Sequence, residues 1–213
     1  MRTAADFNQF YAVPDPWRIS RAHFRDRILR RAVSKFIKGK SVLELGCGEG
    51  HLTKSVFRRA KNITAVDFSA IAIERAKANK HPNARFENAD FLDVSFTGYD
   101  TIAAIECLYY LTSEEQESFF QKIAKEHTGK YVVLSGPIIG ENEHRKYFTH
   151  EGLIETFAKH NFLTVQHQNL NVHPNGLFSR LLANFVKLPF TSWILNKLPE
   201  NMIYQRCYII RMM

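Results

Sequence analysis

The stretch S-V-L-E-L-G-C-G-E-G-H, Ser41 to His51, places Gly46, Gly48 and Gly50 in alternation with Cys47 and Glu49 directly after an apolar run, Val42 to Leu45. Glycines so arranged permit positive φ angles and let a ligand approach the backbone, so the chemistry implied is the holding of a nucleotide-like molecule. An ordinary strand-to-helix turn is the alternative. Asp67 closes a second apolar run roughly 20 residues further on, where a doubly wound sheet puts a carboxylate for ribose hydroxyls. Helix capping is its other reading. In Asn88-Ala89-Asp90-Phe91, the acid can accept from an adenine amine and the ring can flank the base, unless the pair is a turn acid beside a core aromatic. Glu106, Tyr109 and Tyr110 share the run E-C-L-Y-Y-L. His144, in a polar loop from Glu141 to Tyr147, is a candidate general base, with Tyr109 or Tyr110 orienting a substrate. A solvated loop histidine is the competing reading of His144. Near the start, Tyr11 and Trp17 belong to an aromatic and proline cluster that either roofs a ligand or packs a helix onto the body.

These groups reach one place only if parallel strands carry them to a common sheet edge. Apolar runs predict strands over 42–45, 62–66, 84–87, 99–105, 130–134, 162–170 and 202–212. Between them fall helices over 52–60, after the cap Ser69, after Thr112-Ser113-Glu114-Glu115, and from the cap Thr149 to about His160. The alternation of strands and helices predicts an α/β fold with a largely parallel sheet and helices on both faces. Ahead of the first strand, Phe24, Ile28, Ala32 and Phe36 recur every four residues in a basic helix. The D-P-W of residues 15–17 reads as a loop leading into it. Residues 1–39 are then an N-terminal cover, 40–170 and 201–213 the core, and 171–200 a helical insert, all in a single domain.

The net charge of +8 over 213 residues admits anionic partners. Much of it clusters between Arg18 and Lys40, where Asp26 is the one acid, as either a solvated face or an anion-binding surface. Cys47, Cys107 and Cys207 are odd in number and far apart, which disfavours a disulfide framework or a zinc site and fits a reducing cytoplasm. No metal is expected. No uncharged apolar run approaches the roughly 20 residues that span a bilayer, and no signal-peptide core follows the N-terminal arginine. Between Leu177 and Leu198, Phe178, Leu181, Leu182, Phe185 and Val186 follow helical spacing, Pro189 interrupts, and Trp193, Ile194 and Leu198 resume it. This cationic, amphipathic segment reads as a lid, a dimer surface or a peripheral membrane contact.

The series E-L-G-C-G-E-G, V-D-F-S-A-I-A-I-E-R-A, A-D-F and E-C-L-Y-Y-L resembles the class I S-adenosylmethionine-dependent methyltransferases. With D-P-W near the start and L-G-C-G-x-G-x-L-T, it is similar to the NodS-like family of N-methyltransferases. The resemblance implies a Rossmann-like seven-stranded sheet with an antiparallel last strand. It also implies S-adenosylmethionine as cofactor and S-adenosylhomocysteine as its product. Glu44 would then support the glycine loop or the methionine ammonium, and Gly46, Cys47, Gly48 and Gly50 would border the methionine portion. Asp67 would bind the ribose, with Phe68 against the adenine; Asp90 would take the amine and Phe91 lie by the ring. Glu106 would sit near the amino-acid end, and Tyr11 and Trp17 in the cover. Where the family pattern has a tyrosine and a glutamate on the first helix, this chain has His23-Phe24-Arg25. The carboxylates around the loop suit an adenosyl group bearing an amino acid better than an anionic dinucleotide. The acceptor implied is a small molecule, a sugar, amine or lipid-linked group methylated on N or O. Nucleic acid as substrate, or a non-catalytic role on the same fold, are the alternatives.

Overall fold

In the computed structural model, the residues described are 3–139, 145–173, 184 and 192–213. Among them the strands β1 (Ser41–Leu45), β2 (Asn62–Asp67), β3 (Ala84–Asn88), β4 (Thr101–Ile105), β5 (Tyr131–Pro137), β6 (Phe162–Val172) and β7 (Ile203–Met212) form one sheet. Their order is β3-β2-β1-β4-β5-β7-β6. Neighbours from β3 to β5 run parallel, and β7 is antiparallel to both β5 and β6. The seven-stranded, mostly parallel sheet with an antiparallel last strand is therefore as the sequence implied.

The strands form because both faces bury apolar side chains at a period of two. Along β4, Ala103 and Ile105 join one core while Ile102 and Ala104 join the other; along β7, Cys207 and Ile209 alternate with Tyr208 and Ile210 in the same way. The first core is closed by α2 (His23–Ile37), α3 (His51–Ser55) and α4 (Ala70–Ala78), the second by α5 (Ser113–Glu126) and α6 (His150–Lys159). Ser69, Thr112 and Thr149 cap α4, α5 and α6, and Glu115 completes a capping box with Thr112.

Several local expectations are revised. The helix read over 52–60 stops at Ser55, because Val56 and Phe57 turn fully into the core and the amide of Phe57 donates to the carbonyl of Leu52 (3.2 Å). A short helix, α1 (Ala4–Phe10), precedes the D-P-W loop, closed by a capping box between Thr3 and Asp6. Asp26 is buried among the cations of α2, where its carboxylate accepts from Arg25 Nη2 (2.9 Å) and Ser55 Oγ (2.9 Å) and so pins α2 to the end of α3. Most of the amphipathic stretch 177–198 lies outside the described residues. Its end, Ser192–Lys197, is a 3₁₀ turn that buries Leu195 and exposes Trp193. No helix among the described residues is long and apolar enough to cross a membrane.

Candidate functional site

β2 lies on one side of β1 and β4 on the other, so the chain switches direction at the carboxyl ends of β1 and β4. Loops diverge there, and a crevice results. It holds a cavity of about 360 Å³. One half of its wall comes from the glycine loop, Asp67, Phe68 and Phe91, and the other from Glu106, Cys107, Tyr109, Tyr110, Arg145 and Tyr147.

The glycine loop is built by backbone constraint. Gly46, Gly48 and Gly50 all have positive φ, at 68°, 54° and 78°. A Cβ on Gly46 would lie 2.7 Å from Cys107 Cβ, and one on Gly50 would lie 3.1 Å from the ring of Phe86. Asp67 then fixes the loop: its Oδ2 accepts from the amide of Gly48 (2.8 Å) and its Oδ1 from that of Ser69 (2.9 Å). Each oxygen keeps a lone pair for a further donor. Burial pushes the Asp67 carboxyl up, and the amides of Ser69, Gly48 and Phe68 oppose that rise.

The roof is α1 and the turn after it. Phe7 stands 6.2 Å from the ring of Phe68 and 5.3 Å from that of Tyr110, so it touches both halves of the wall. Ser69 Oγ donates to Asn8 (2.7 Å), which ties α1 to the start of α4. The hydroxyl of Tyr11 reaches the glycine loop, 2.5 Å from where a Cβ on Gly48 would be, and Trp17 packs edge-on against Tyr11 at 5.1 Å. Glu49 staples roof to loop: it accepts from the amide of Asp15 (2.9 Å) and pairs with Arg75 (2.7 Å). Asp15, Glu49 and His51 bring three ligating atoms within 4.8 Å of one another. The carboxylate of Asp15 already accepts from the amide of Ile19 (2.6 Å) and the hydroxyl of Ser20 (2.5 Å), so these residues serve as a structural clasp.

Glu106, directly after β4, is a non-glycine residue in the left-handed region, with φ of 57°. Its carboxylate accepts from Ser135 Oγ (2.9 Å) and Gln205 Nε2 (3.0 Å). Burial pushes this carboxyl up, and the charge of Arg25, which also lines the cavity, pulls it back. Burial likewise pushes the phenols of Tyr109 and Tyr110 up, so both are protonated O–H donors at neutral pH.

The fold thus brings Tyr11, Trp17, Gly46, Cys47, Gly48, Asp67, Phe68, Phe91, Glu106, Tyr109 and Tyr110 to one cavity. Glu44, Gly50 and Asp90 stand outside its wall. Glu44 is buried and accepts from Thr53 Oγ1 (2.6 Å), which supports the loop from beneath; Asp90 accepts from the amide of Leu92 (2.9 Å) and shapes the turn before Phe91. His144 lies outside the described residues. Arg25, Glu49, Arg145, Tyr147 and Gln205 were not singled out as site residues from sequence. For Arg25 a signal existed in the departure His23-Phe24-Arg25; Gln205 arrives only because antiparallel β7 sits beside β5.

Residues 42–126 match the sequence model of a methyltransferase domain. An uncharacterized methyltransferase of Geobacillus thermodenitrificans is 30% identical over 121 residues, 55% of this chain and 55% of the relative. Nodulation protein S of Azorhizobium caulinodans is 28% identical over 107 residues, 48% of this chain and 52% of the relative. The chain therefore spans about half the length of these curated relatives. In fold it is similar to the N-methyltransferase NodS of Bradyrhizobium japonicum, solved with S-adenosylhomocysteine, at a TM-score of 0.68 and 18% identity over 99% of this chain and 98% of that one. Residues 42–126 thus match a methyltransferase domain, and the chain shares its fold with solved methyltransferases.

Proposed function

We propose that the protein binds S-adenosylmethionine in this cavity and transfers its methyl group to a nitrogen or oxygen atom of a small molecule. The observation that carries the reading is one roofed cavity of about 360 Å³ with two chemically different halves. The half formed by the glycine loop, Asp67 and Phe68 suits an adenosyl group: a carboxylate with free lone pairs for ribose hydroxyls and an aromatic face for the base. Arg25 and Glu106, opposite in charge, suit the carboxylate and ammonium of an amino acid. Solved NodS, which this chain resembles in fold, holds S-adenosylhomocysteine.

When bound, the cofactor supplies a methyl group already activated on a sulfonium, and the acceptor releases one proton as the new bond forms. The chain's residues need to align the acceptor and keep water out. Tyr109 and Tyr110 orient the acceptor as O–H donors, while α1, Tyr11 and Trp17 cover the site. His144, if it approaches the acceptor, would take the proton from an oxygen nucleophile; a neutral amine needs no such base. Glu44, Gly50 and Asp90 act on the cofactor through the loops that they hold.

Calorimetry with S-adenosylhomocysteine tests the reading. Asp67→Ala removes an acceptor for two hydroxyls and releases the Gly48 amide, and affinity is expected to fall about 100-fold or more. Unchanged affinity would overturn the cofactor assignment. Methyl transfer from labelled cofactor into a metabolite extract tests the activity, and His144→Ala with undiminished turnover would remove that residue as base.

A further inference from the structure

Glu106 is held in place from two neighbouring strands. Its amide donates to the carbonyl of Ser135 on β5 (2.8 Å), and the hydroxyl of Ser135 donates back to Oε1 (2.9 Å). From β7, Gln205 Nε2 donates to Oε2 (3.0 Å). Gln205 stands opposite Pro137 in the β5–β7 ladder and lines the cavity together with Glu106. Each carboxylate oxygen thus has a neutral donor and keeps a lone pair for another. The left-handed backbone of Glu106, at φ 57°, is one that a non-glycine residue keeps only where its surroundings fix it.

Ionisable groups from α2, the 3₁₀ turn Leu108–Tyr110 and β7 also face Glu106. The charge of Arg25, itself paired with Asp26 (2.9 Å), pulls its carboxyl down. Burial pushes Tyr109, Tyr110, Tyr204 and Cys207 up, so all four stay neutral between pH 5 and pH 7.5. Arg145, a permanent cation, lies against the rings of Tyr110 and Tyr109, at 4.8 Å and 5.5 Å from their centres. Because burial opposes charge on Glu106 itself, its ionised form depends on the two donors and on Arg25.

We propose that Gln205 and Ser135 are positioning residues that hold the Glu106 carboxylate as an aimed anion, and that this anion receives the ammonium of the cofactor. The proposal rests on the S-adenosylmethionine reading of the cavity and deepens it. Both donors are neutral, so they favour the anion without cancelling the charge that an ammonium needs. A protonated Glu106 has no charge to offer, and cofactor affinity therefore falls as pH falls through the ionisation of this group. Without the Gln205 donor that loss begins at higher pH.

The test is calorimetry on the intact chain between pH 5 and pH 7.5 with two ligands, S-adenosylhomocysteine and 5′-methylthioadenosine, which has the adenosyl half and no amino-acid end. Ionisable groups at the glycine loop, Glu44, Asp67 and His51, bear on both ligands, so the ratio of affinities isolates the amino-acid end. In the unaltered chain that ratio is expected to shift toward 5′-methylthioadenosine in acid. Gln205→Met keeps the length of the side chain without its amide. It is expected to move the shift to higher pH, so that on the falling limb S-adenosylhomocysteine binds about tenfold or more weaker than to the unaltered chain. Ser135→Ala is expected to move it the same way. Glu106→Gln should bind weakly and without this pH dependence, and adding Gln205→Met to it should change nothing further. A ratio that does not vary with pH, or a Gln205→Met profile that coincides with that of the unaltered chain, would overturn the proposal. Equal weakening of both ligands at every pH would overturn it too, since that is what a merely structural Gln205 predicts. Absent affinity for both ligands in the unaltered chain defeats the cofactor reading itself, whereas S-adenosylhomocysteine binding with a flat ratio defeats only the role of Glu106 and its two donors.

Discussion

Glu44 sits near the carboxyl end of β1, buried, with the hydroxyl of Thr53 as its hydrogen-bond donor. Burial pushes its carboxyl up to about 8, and the charge of Asp67 acts in the same direction. In the unfolded chain a glutamate titrates near 4.3, so between about pH 4.3 and pH 8 the folded state holds a proton that the unfolded state has lost. The contribution to stability is therefore fully present below the unfolded value and is lost as pH rises through the folded one. Glu44→Gln removes this dependence while keeping an acceptor for Thr53. Urea unfolding at pH 5 and pH 8.5 is expected to show the unaltered chain losing more stability than the variant, by on the order of 1–3 kcal/mol. Equal losses would mean that Glu44 is not the buried proton-holder. The glycines divide in a similar way. Gly46→Ala sets a Cβ against Cys107 in a left-handed residue and is expected to cost about 2–4 kcal/mol in a denaturation experiment. Gly48→Ala meets the movable end of Tyr11, so weaker cofactor binding should exceed its effect on stability beyond the left-handed penalty.

At the scale of elements, the strands were legible because burial on two faces writes itself into the sequence as short apolar runs, and three helix starts because Ser69, Thr112 and Thr149 are good caps. What was not legible depended on partners distant in sequence. Nothing local marks Gln205 as a donor to Glu106; the antiparallel pairing of β7 with β5 puts it there. The end of α3 at Ser55 is set by a core that accepts Val56 and Phe57, although helical periodicity runs on. Asp26 reads as a surface acid until Ser55 is seen beside it. α1 has no buried residue, hence no apolar stripe, and its one sequence signal is the Thr3–Asp6 capping box. That absence of burial also predicts its behaviour. Deleting residues 1–12 removes Phe7, Asn8 and Tyr11 from the roof while leaving both cores intact. Release of S-adenosylhomocysteine, followed by stopped flow, is expected to speed up at least about tenfold, with a melting temperature lowered by only a few degrees. A collapse in melting temperature would make α1 part of the core instead of a cover.

Across the whole molecule, charge and cavity lie at opposite ends of the sheet. Lys38, Lys40, Arg58, Arg59 and Lys61 are exposed where the chain enters β1 and β2. Their segments are joined by the amide of Gly39 donating to the carbonyl of Arg59 (3.0 Å) and that of Lys61 to the carbonyl of Lys40 (2.8 Å). The cavity opens at the other end of those strands, and β1, with five residues at roughly 3.3 Å each, puts about 15 Å or more between them. That exceeds the Debye length of about 8 Å at physiological salt, so the cluster does little to the potential at the site. A small acceptor would be indifferent to it. A nucleic acid methylated in the cavity while lying along the basic edge would not be, because each phosphate contact adds to the salt dependence of binding. Replacing Arg58, Arg59 and Lys61 together with glutamine should therefore leave kcat/KM for the small acceptor within about twofold of the unaltered chain between 50 and 300 mM salt. A loss of about tenfold or more, with an unaltered rate that itself falls steeply with salt, would return a polyanion to the position of substrate.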